Sequence, residues 1–220
     1  MTSAISTPDK PAAPRGGAGK LGWLVPAIVT GGLVPAVVLA ARAARGDLGA
    51  NPIAEAMNQL GLLALVLLVL SLAATPLQIV TGWKWPIRIR KSLGLLGFFY
   101  VCAHFLVYAL VDQSLALRAI AEDITKRPFI LVGFAAFVLL IPLAATSTAK
   151  ALKRMGFARW KRLHRLAYVV AILGVIHFVM RVKKDVTEPA IYGAVLAGLF
   201  LIRIMDWVRK RGNKRGAARG

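Results

Sequence analysis

The sequence predicts an all-α membrane protein, a bundle of six transmembrane helices with both termini in the cytoplasm. Hydrophobic residues make up 58% of the 220 residues and charged residues only 17%, a composition too apolar for an ordinary soluble domain. The apolar residues are concentrated in six runs, most of them long enough to cross a hydrocarbon layer of about 30 Å. The basic residues cluster between these runs and at the two ends, as they do in loops on the cytoplasmic side of a membrane.

The six runs contain few ionisable groups, and each is expected to be a helix because lipid offers no partners for unpaired backbone groups. They are Leu21–Ala41, Leu60–Thr75 with a possible extension to Val80, Leu93–Val111, Pro128–Thr146, Leu166–Met180 and Ala190–Val208. The first run ends in Ala41-Arg42-Ala43, which resembles a signal-peptide cleavage site. Because this run is longer than the usual signal core and contains two prolines, we expect a retained span.

The spans divide the chain into three parts. Residues 1–20 are rich in Ala, Pro, Gly, Ser and Thr and are expected to form a disordered cytoplasmic tail. Residues 21–208 form the helical bundle, and residues 209–220 form a basic cytoplasmic tail.

Lysine and arginine counts predict the orientation. Of the 29 such residues, 20 lie in the two tails and in the loops at 81–91 and 147–165, whereas 8 lie in the other loops and one, Arg203, lies within a span. The positive-inside rule therefore places both termini in the cytoplasm, in a multi-pass topology. The formal charge of +20 is explained by anionic lipid headgroups and by orientation, so we expect no nucleic-acid partner.

Two of the three histidines are the strongest candidates for a functional site. An ionisable group inside a span costs free energy unless it is paired or bound to a ligand. His104 in the third span and His177 in the fifth are both expected in the outer half of the membrane, within a turn or two of the same depth. Two imidazoles at one depth on separate helices are suited to bind one haem iron from both sides, which favours electron transfer because no axial site remains open.

The third histidine, His164, is a different case. It lies thirteen residues before His177, which is about 20 Å along a helix, so the two side chains cannot bind the same iron. Two interpretations stay open: a cofactor or metal ligand near the inner face, or an interfacial cation beside Arg162 and Arg165.

Other side chains carry weaker predictions. Aromatic residues near the span ends, among them Trp160 and Tyr168, are expected to form interfacial belts. Arg203 and Asp206 are expected to pair with each other because they are three residues apart on a helix. Lys126 and Arg127 precede the fourth span at the outer face, where they are candidates to bind haem propionates.

Several segments resemble the MsrQ family, haem-binding membrane subunits of the bacterial periplasmic methionine sulfoxide reductase system within the ferric reductase-like transmembrane superfamily. The resemblance covers about residues 60–207. It rests on R-K-S-L-G-L-L-G-F-F-Y-V-C-A-H at 90–104, I-T-K-R-P-F-I at 124–130, P-L-A-A-T-S-T at 142–148, and W-K-R-L-H-R-L-A-Y at 160–168 followed by H-F at 177–178.

The resemblance implies a location in the bacterial inner membrane, a b-type haem and FMN. It also implies electron flow from quinol of the respiratory pool to a periplasmic molybdopterin methionine sulfoxide reductase that repairs oxidised proteins. The family histidines map onto His104, His164 and His177. Only His104 lies on the third span, with no second histidine thirteen or fourteen residues away, and this favours one haem. The catalytic reductase is then a separate partner, and no residue of this chain is assigned to catalysis or to FMN.

Two other functions remain as alternatives. A stand-alone transmembrane reductase for ferric iron or oxygen requires an NADPH-flavin domain, for which this chain has no room. A proton-coupled transporter requires carboxylates along a path, yet Asp206 is the only acid within a span.

Overall fold

The computed structural model describes residues 21–182 and 184–217, with side chains through Asn213. The predicted tail at 1–20 lies outside the described residues. The described chain is all-helical, and six of its helices are long and apolar enough to span a membrane. The helices are α1 (Leu24–Arg45), α2 (Pro52–Thr81), α3 (Trp85–Leu106, continued by a π-helical turn at Val107–Asp112), α4 (Leu117–Lys126), α5 (Pro128–Ala145), α6 (Ala149–Met155), α7 (Phe157–Leu163), α8 (Leu166–Arg181) and α9 (Thr187–Ala217). The predicted six-helix fold is confirmed.

Several helices extend beyond the apolar runs that predicted them, among them α2, α3 and α9. Helix α2 begins at Pro52 because Asn51 caps it: the Asn51 side chain accepts a hydrogen bond from the amide of Ala54, and proline is favourable at the first position of a helix. Helix α9 continues through the basic segment after Val208 as far as Ala217. There Asp206 forms ion pairs with Arg209 and Lys210 one turn later.

Four helices form the centre of the bundle. Helix α2 packs along α3, α5 packs along α8, and contacts of α2 with α8 and of α3 with α5 join the two pairs. One part of the core lies between the pairs, where Ala136, Leu140 and Val170 pack against partly buried side chains including Leu68 and Val101. The peripheral helices α1 and α9 cover this centre from outside, α1 against α3 and α9 against α2 and α8.

Tyr100 fixes α1 to the central helices. Its side chain is fully buried, and its hydroxyl donates to the carbonyl of Gly32 at 2.6 Å and accepts from the amide of Ala36 at 3.2 Å. These two backbone groups are four residues apart, so they are the pair that one α-helical hydrogen bond would join. The hydroxyl therefore bridges one turn of α1.

Candidate functional site

The structure brings His104 of α3 and His177 of α8 together. Their ring centroids are 6.3 Å apart and the two ring planes are nearly perpendicular, at 86°. Two imidazoles that bind one metal ion from opposite sides, with metal–nitrogen bonds of about 2 Å, have their ring centroids about 6 Å apart. The spacing therefore suits a metal centre held between the rings.

Both imidazoles have a fixed proton position. Nδ1 of His104 lies 2.9 Å from the carbonyl oxygen of Met57, and Nδ1 of His177 lies 2.6 Å from that of Phe129. Because a carbonyl oxygen only accepts hydrogen bonds, each Nδ1 carries the proton and donates it. Each Nε2 is therefore left with a lone pair, as in most metal-binding histidines, whose other nitrogen donates to a carbonyl or carboxylate.

A cavity of about 270 Å³ surrounds the two rings. Its walls are mostly apolar and include Phe105, Phe134 and Phe137. Two guanidinium groups, from Arg127 and Arg181, also line it. Arg127 forms an ion pair with Asp123 at 3.1 Å, whereas Arg181 has no ion pair within the described part of the chain.

These residues fit a haem. The two Nε2 atoms supply two axial donors, and the phenylalanines supply an apolar surface for the macrocycle. Arg127 and Arg181 supply positive charge for propionates. Lys126, the other cation expected in this role, is instead paired with Glu122 at 3.1 Å and does not line the cavity.

His164 lies in a separate inner cavity of about 260 Å³, in the turn between α7 and α8. Its ring stacks on Trp160 with centroids 4.0 Å apart, and its Nε2 lies 3.1 Å from Oγ1 of Thr146. The Thr146 hydroxyl donates to the carbonyl of Pro142 at 2.6 Å, so it accepts from Nε2 of His164. The unprotonated nitrogen of this ring is therefore Nδ1, unlike in the other two histidines.

The inner cavity combines charge with an aromatic stack. Arg90 and Lys91 line it together with Trp160 and His164, and neither cation forms an ion pair within the described residues. Leu68 and Leu140 line both cavities, so the inner and outer cavities are neighbours. The inner cavity is suited to a flat ligand that carries negative charge.

One expectation for a polar side chain is wrong, and one aromatic side chain has contacts that were not expected. Arg203 does not pair with Asp206: its guanidinium donates to the carbonyl of Leu72 at 2.6 Å and to the hydroxyl of Tyr168 at 2.7 Å. The reason is that residue 76 is a proline and has no amide to donate to Leu72, so this carbonyl lacks its helical partner. Trp160, expected in an interfacial belt, lines the inner cavity and donates from Nε1 to the carbonyl of Thr146 at 2.9 Å.

The sequence did not single out the carbonyls of Met57 and Phe129 or the role of Arg181. A residue whose backbone carbonyl accepts a hydrogen bond from a histidine needs no particular side chain, so the sequence does not reveal it. Arg181 ends a span, where a basic residue is ordinary.

Known proteins resemble this chain over much of its length. The family "Ferric reductase like transmembrane component" matches residues 60–175, which include His104 and His164. The chain is 51% identical over 182 residues, 83% of its length and 90% of the relative's, to the "Protein-methionine-sulfoxide reductase heme-binding subunit MsrQ" of Deinococcus radiodurans. Proteins with the same name from Rhodospirillum rubrum and Ralstonia nicotianae are each 48% identical to it, covering 81% and 86% of this chain and 86% and 87% of their own lengths.

The family match covers a little over half of the chain, and each of these relatives covers at least 81% of it. The family match and the six apolar helices together identify a multi-pass membrane protein. The chain belongs to the MsrQ family, within the ferric reductase-like transmembrane group.

Proposed function

We propose that this chain is the membrane electron-transfer subunit of a periplasmic methionine sulfoxide reductase system. It carries electrons from quinol through a b-type haem to a separate molybdopterin subunit, which reduces methionine sulfoxide in oxidised periplasmic proteins. The observation that carries the proposal is the pair of facing imidazoles, 6.3 Å apart, with both Nδ1 atoms held by backbone carbonyls. The names of the MsrQ relatives support haem binding and the methionine sulfoxide reductase partner.

The residues around the outer cavity suit electron transfer rather than chemistry on a substrate. A bound haem would supply reversible one-electron oxidation and reduction. Nε2 of His104 and Nε2 of His177 would fill both axial positions, which leaves no site for a substrate at the metal. The phenylalanine walls exclude water, and the carbonyls of Met57 and Phe129 keep both imidazoles oriented.

We propose that His164 belongs to a second cofactor site, for FMN, in the inner cavity. Arg90 and Lys91 would bind the phosphate, and the stacked rings of Trp160 and His164 offer a flat surface for the isoalloxazine. A flavin between quinol and haem can accept two electrons and release them one at a time. This placement makes the inner cavity the entry point of electrons.

The flavin assignment is tested by cofactor quantification. The double variant Arg90→Gln and Lys91→Gln is expected to lose most bound FMN while it retains haem, because only the inner cavity loses positive charge. Arg88→Gln is the matched control, since Arg88 lies on the same helix but does not line the cavity. Full flavin content in the double variant would place FMN elsewhere.

The functional proposal is tested in membrane vesicles that contain the purified chain. Reduced quinol is added first, and the purified molybdopterin subunit with methionine sulfoxide is added second. We expect quinol to reduce the haem and the partner to reoxidise it, with both steps lost in His177→Ala. Equally fast reoxidation by oxygen or a ferric chelate, without the partner, would instead support a stand-alone reductase. The name of the matched family refers to ferric reductases of this kind.

A further inference from the structure

Each imidazole of the outer cavity lies on a seat, which consists of one backbone carbonyl and one glycine of a neighbouring helix. His104 donates to the carbonyl of Met57 in α2, and His177 donates to that of Phe129 in α5. In each helix a glycine follows the accepting carbonyl by four residues: Gly61 in α2 and Gly133 in α5. Four residues are about one helical turn, so each glycine lies next to the carbonyl on the face that meets the imidazole.

Neither seat accepts a Cβ atom unless the imidazole or the helix shifts. A Cβ atom at Gly133 would lie 2.7 Å from Nδ1 and 2.8 Å from Cε1 of His177. A Cβ atom at Gly61 would lie 3.3 Å from the same two atoms of His104. Glycine has no Cβ atom, so it lets an imidazole approach the helix backbone this closely.

The seats also restrict the rotation of each ring. A ring held at Nδ1 by a carbonyl and placed against bare backbone cannot turn about its Cβ–Cγ bond without losing the hydrogen bond. The planes of His104 and His177 are thereby held at 86° to each other. The angle is thus a property of the two seats and not of the two histidines alone.

We propose that Gly61 and Gly133 are positioning residues that hold the two axial imidazoles of the haem nearly perpendicular to each other. The inference rests on the proposed ligation by His104 and His177. Parallel imidazoles interact with the same iron d orbital and split it from its partner, which gives a rhombic electron paramagnetic resonance spectrum for low-spin ferric haem. Perpendicular imidazoles interact with different orbitals, which leaves the pair nearly degenerate and gives a strongly anisotropic spectrum with a large maximum g value.

The test is the electron paramagnetic resonance spectrum and haem content of the purified oxidised protein. The wild type is expected to give the strongly anisotropic spectrum. Gly133→Ala is expected to lower the maximum g value or to expel the haem from a chain that stays folded by circular dichroism and size-exclusion chromatography. Gly61→Ala is expected to keep the haem with a smaller shift, because its Cβ contacts are longer. Gly198→Ala, a change in α9 where nothing lies within 4 Å of the new Cβ, is expected to match the wild type.

Two results would overturn the positioning role. One is a rhombic wild-type spectrum, and the other is a wild-type spectrum and haem content in both Gly61→Ala and Gly133→Ala. These results are distinguishable from a failure of the proposed ligation. That failure would appear as a full bis-histidine haem signal in His104→Ala or His177→Ala, whatever the glycine variants show.

Discussion

At the scale of single residues, the polar side chains of Arg203, His104 and His177 form hydrogen bonds with backbone carbonyls of neighbouring helices. Arg203 binds the carbonyl that Pro76 leaves unpaired, and Nε of Arg203 is itself buried without a partner among the described residues. His104 and His177 bind carbonyls beside glycines. The polar side chains of the spans therefore connect helices to one another.

The link between Arg203 and Pro76 predicts a coupled effect on stability. Pro76→Ala restores an amide that can donate to the carbonyl of Leu72, so this carbonyl no longer depends on Arg203. Arg203→Leu is therefore expected to lower the free energy of unfolding by about 1 kcal/mol less in the Pro76→Ala background than in the wild type. A double-mutant cycle of unfolding in detergent micelles measures the difference. Additive effects of the two changes would show that the arginine does not replace the missing amide.

At the scale of helices, one hydroxyl adds to the apolar packing that attaches α1 to the bundle. Tyr100→Phe keeps the buried ring but removes the bridge between Gly32 and Ala36. We expect a loss of about 1–2 kcal/mol in unfolding free energy and faster hydrogen exchange confined to α1. Tyr192→Phe is the matched control, because the Tyr192 hydroxyl has no hydrogen bond within the part of the chain described. Equal exchange in α1 of both variants would contradict this role of Tyr100.

The long helices could be predicted from the sequence, but several of their details could not. Apolar runs identify spans because lipid requires them. The start of α2 at Pro52 was also readable, since Asn51 and Pro52 are ordinary start signals that a count of apolar residues ignores. The π-helical turn after His104 and the partner of Arg203 depend on neighbouring helices, which no local pattern specifies.

At the scale of the whole molecule, the candidate site could be predicted in part. The positions of His104 and His177 along their spans predicted similar depths in the membrane, and the structure places their rings side by side. The roles of Gly61 and Gly133 could not be read from the sequence, because glycine in an apolar helix is common and only the packed neighbour reveals its purpose. His164 could be separated from His177 by distance along the helix alone.

The charge distribution predicts the orientation of the whole bundle. With 20 of the 29 lysines and arginines on one side, we expect both termini in the cytoplasm. A fluorescent reporter fused after Gly220 should then fluoresce, and alkaline phosphatase fused there should be inactive. An active phosphatase at this end would reverse the orientation and place the His104–His177 pair near the inner face.

The most direct test of the account is the reduced-minus-oxidised spectrum, with haem counted per chain, of the purified wild type and its three histidine variants. We predict one b-type haem per chain in the wild type, a loss of the bis-histidine signal in His104→Ala and in His177→Ala, and its retention in His164→Ala. A full bis-histidine signal in either His104→Ala or His177→Ala would contradict the claim that these two imidazoles hold the haem.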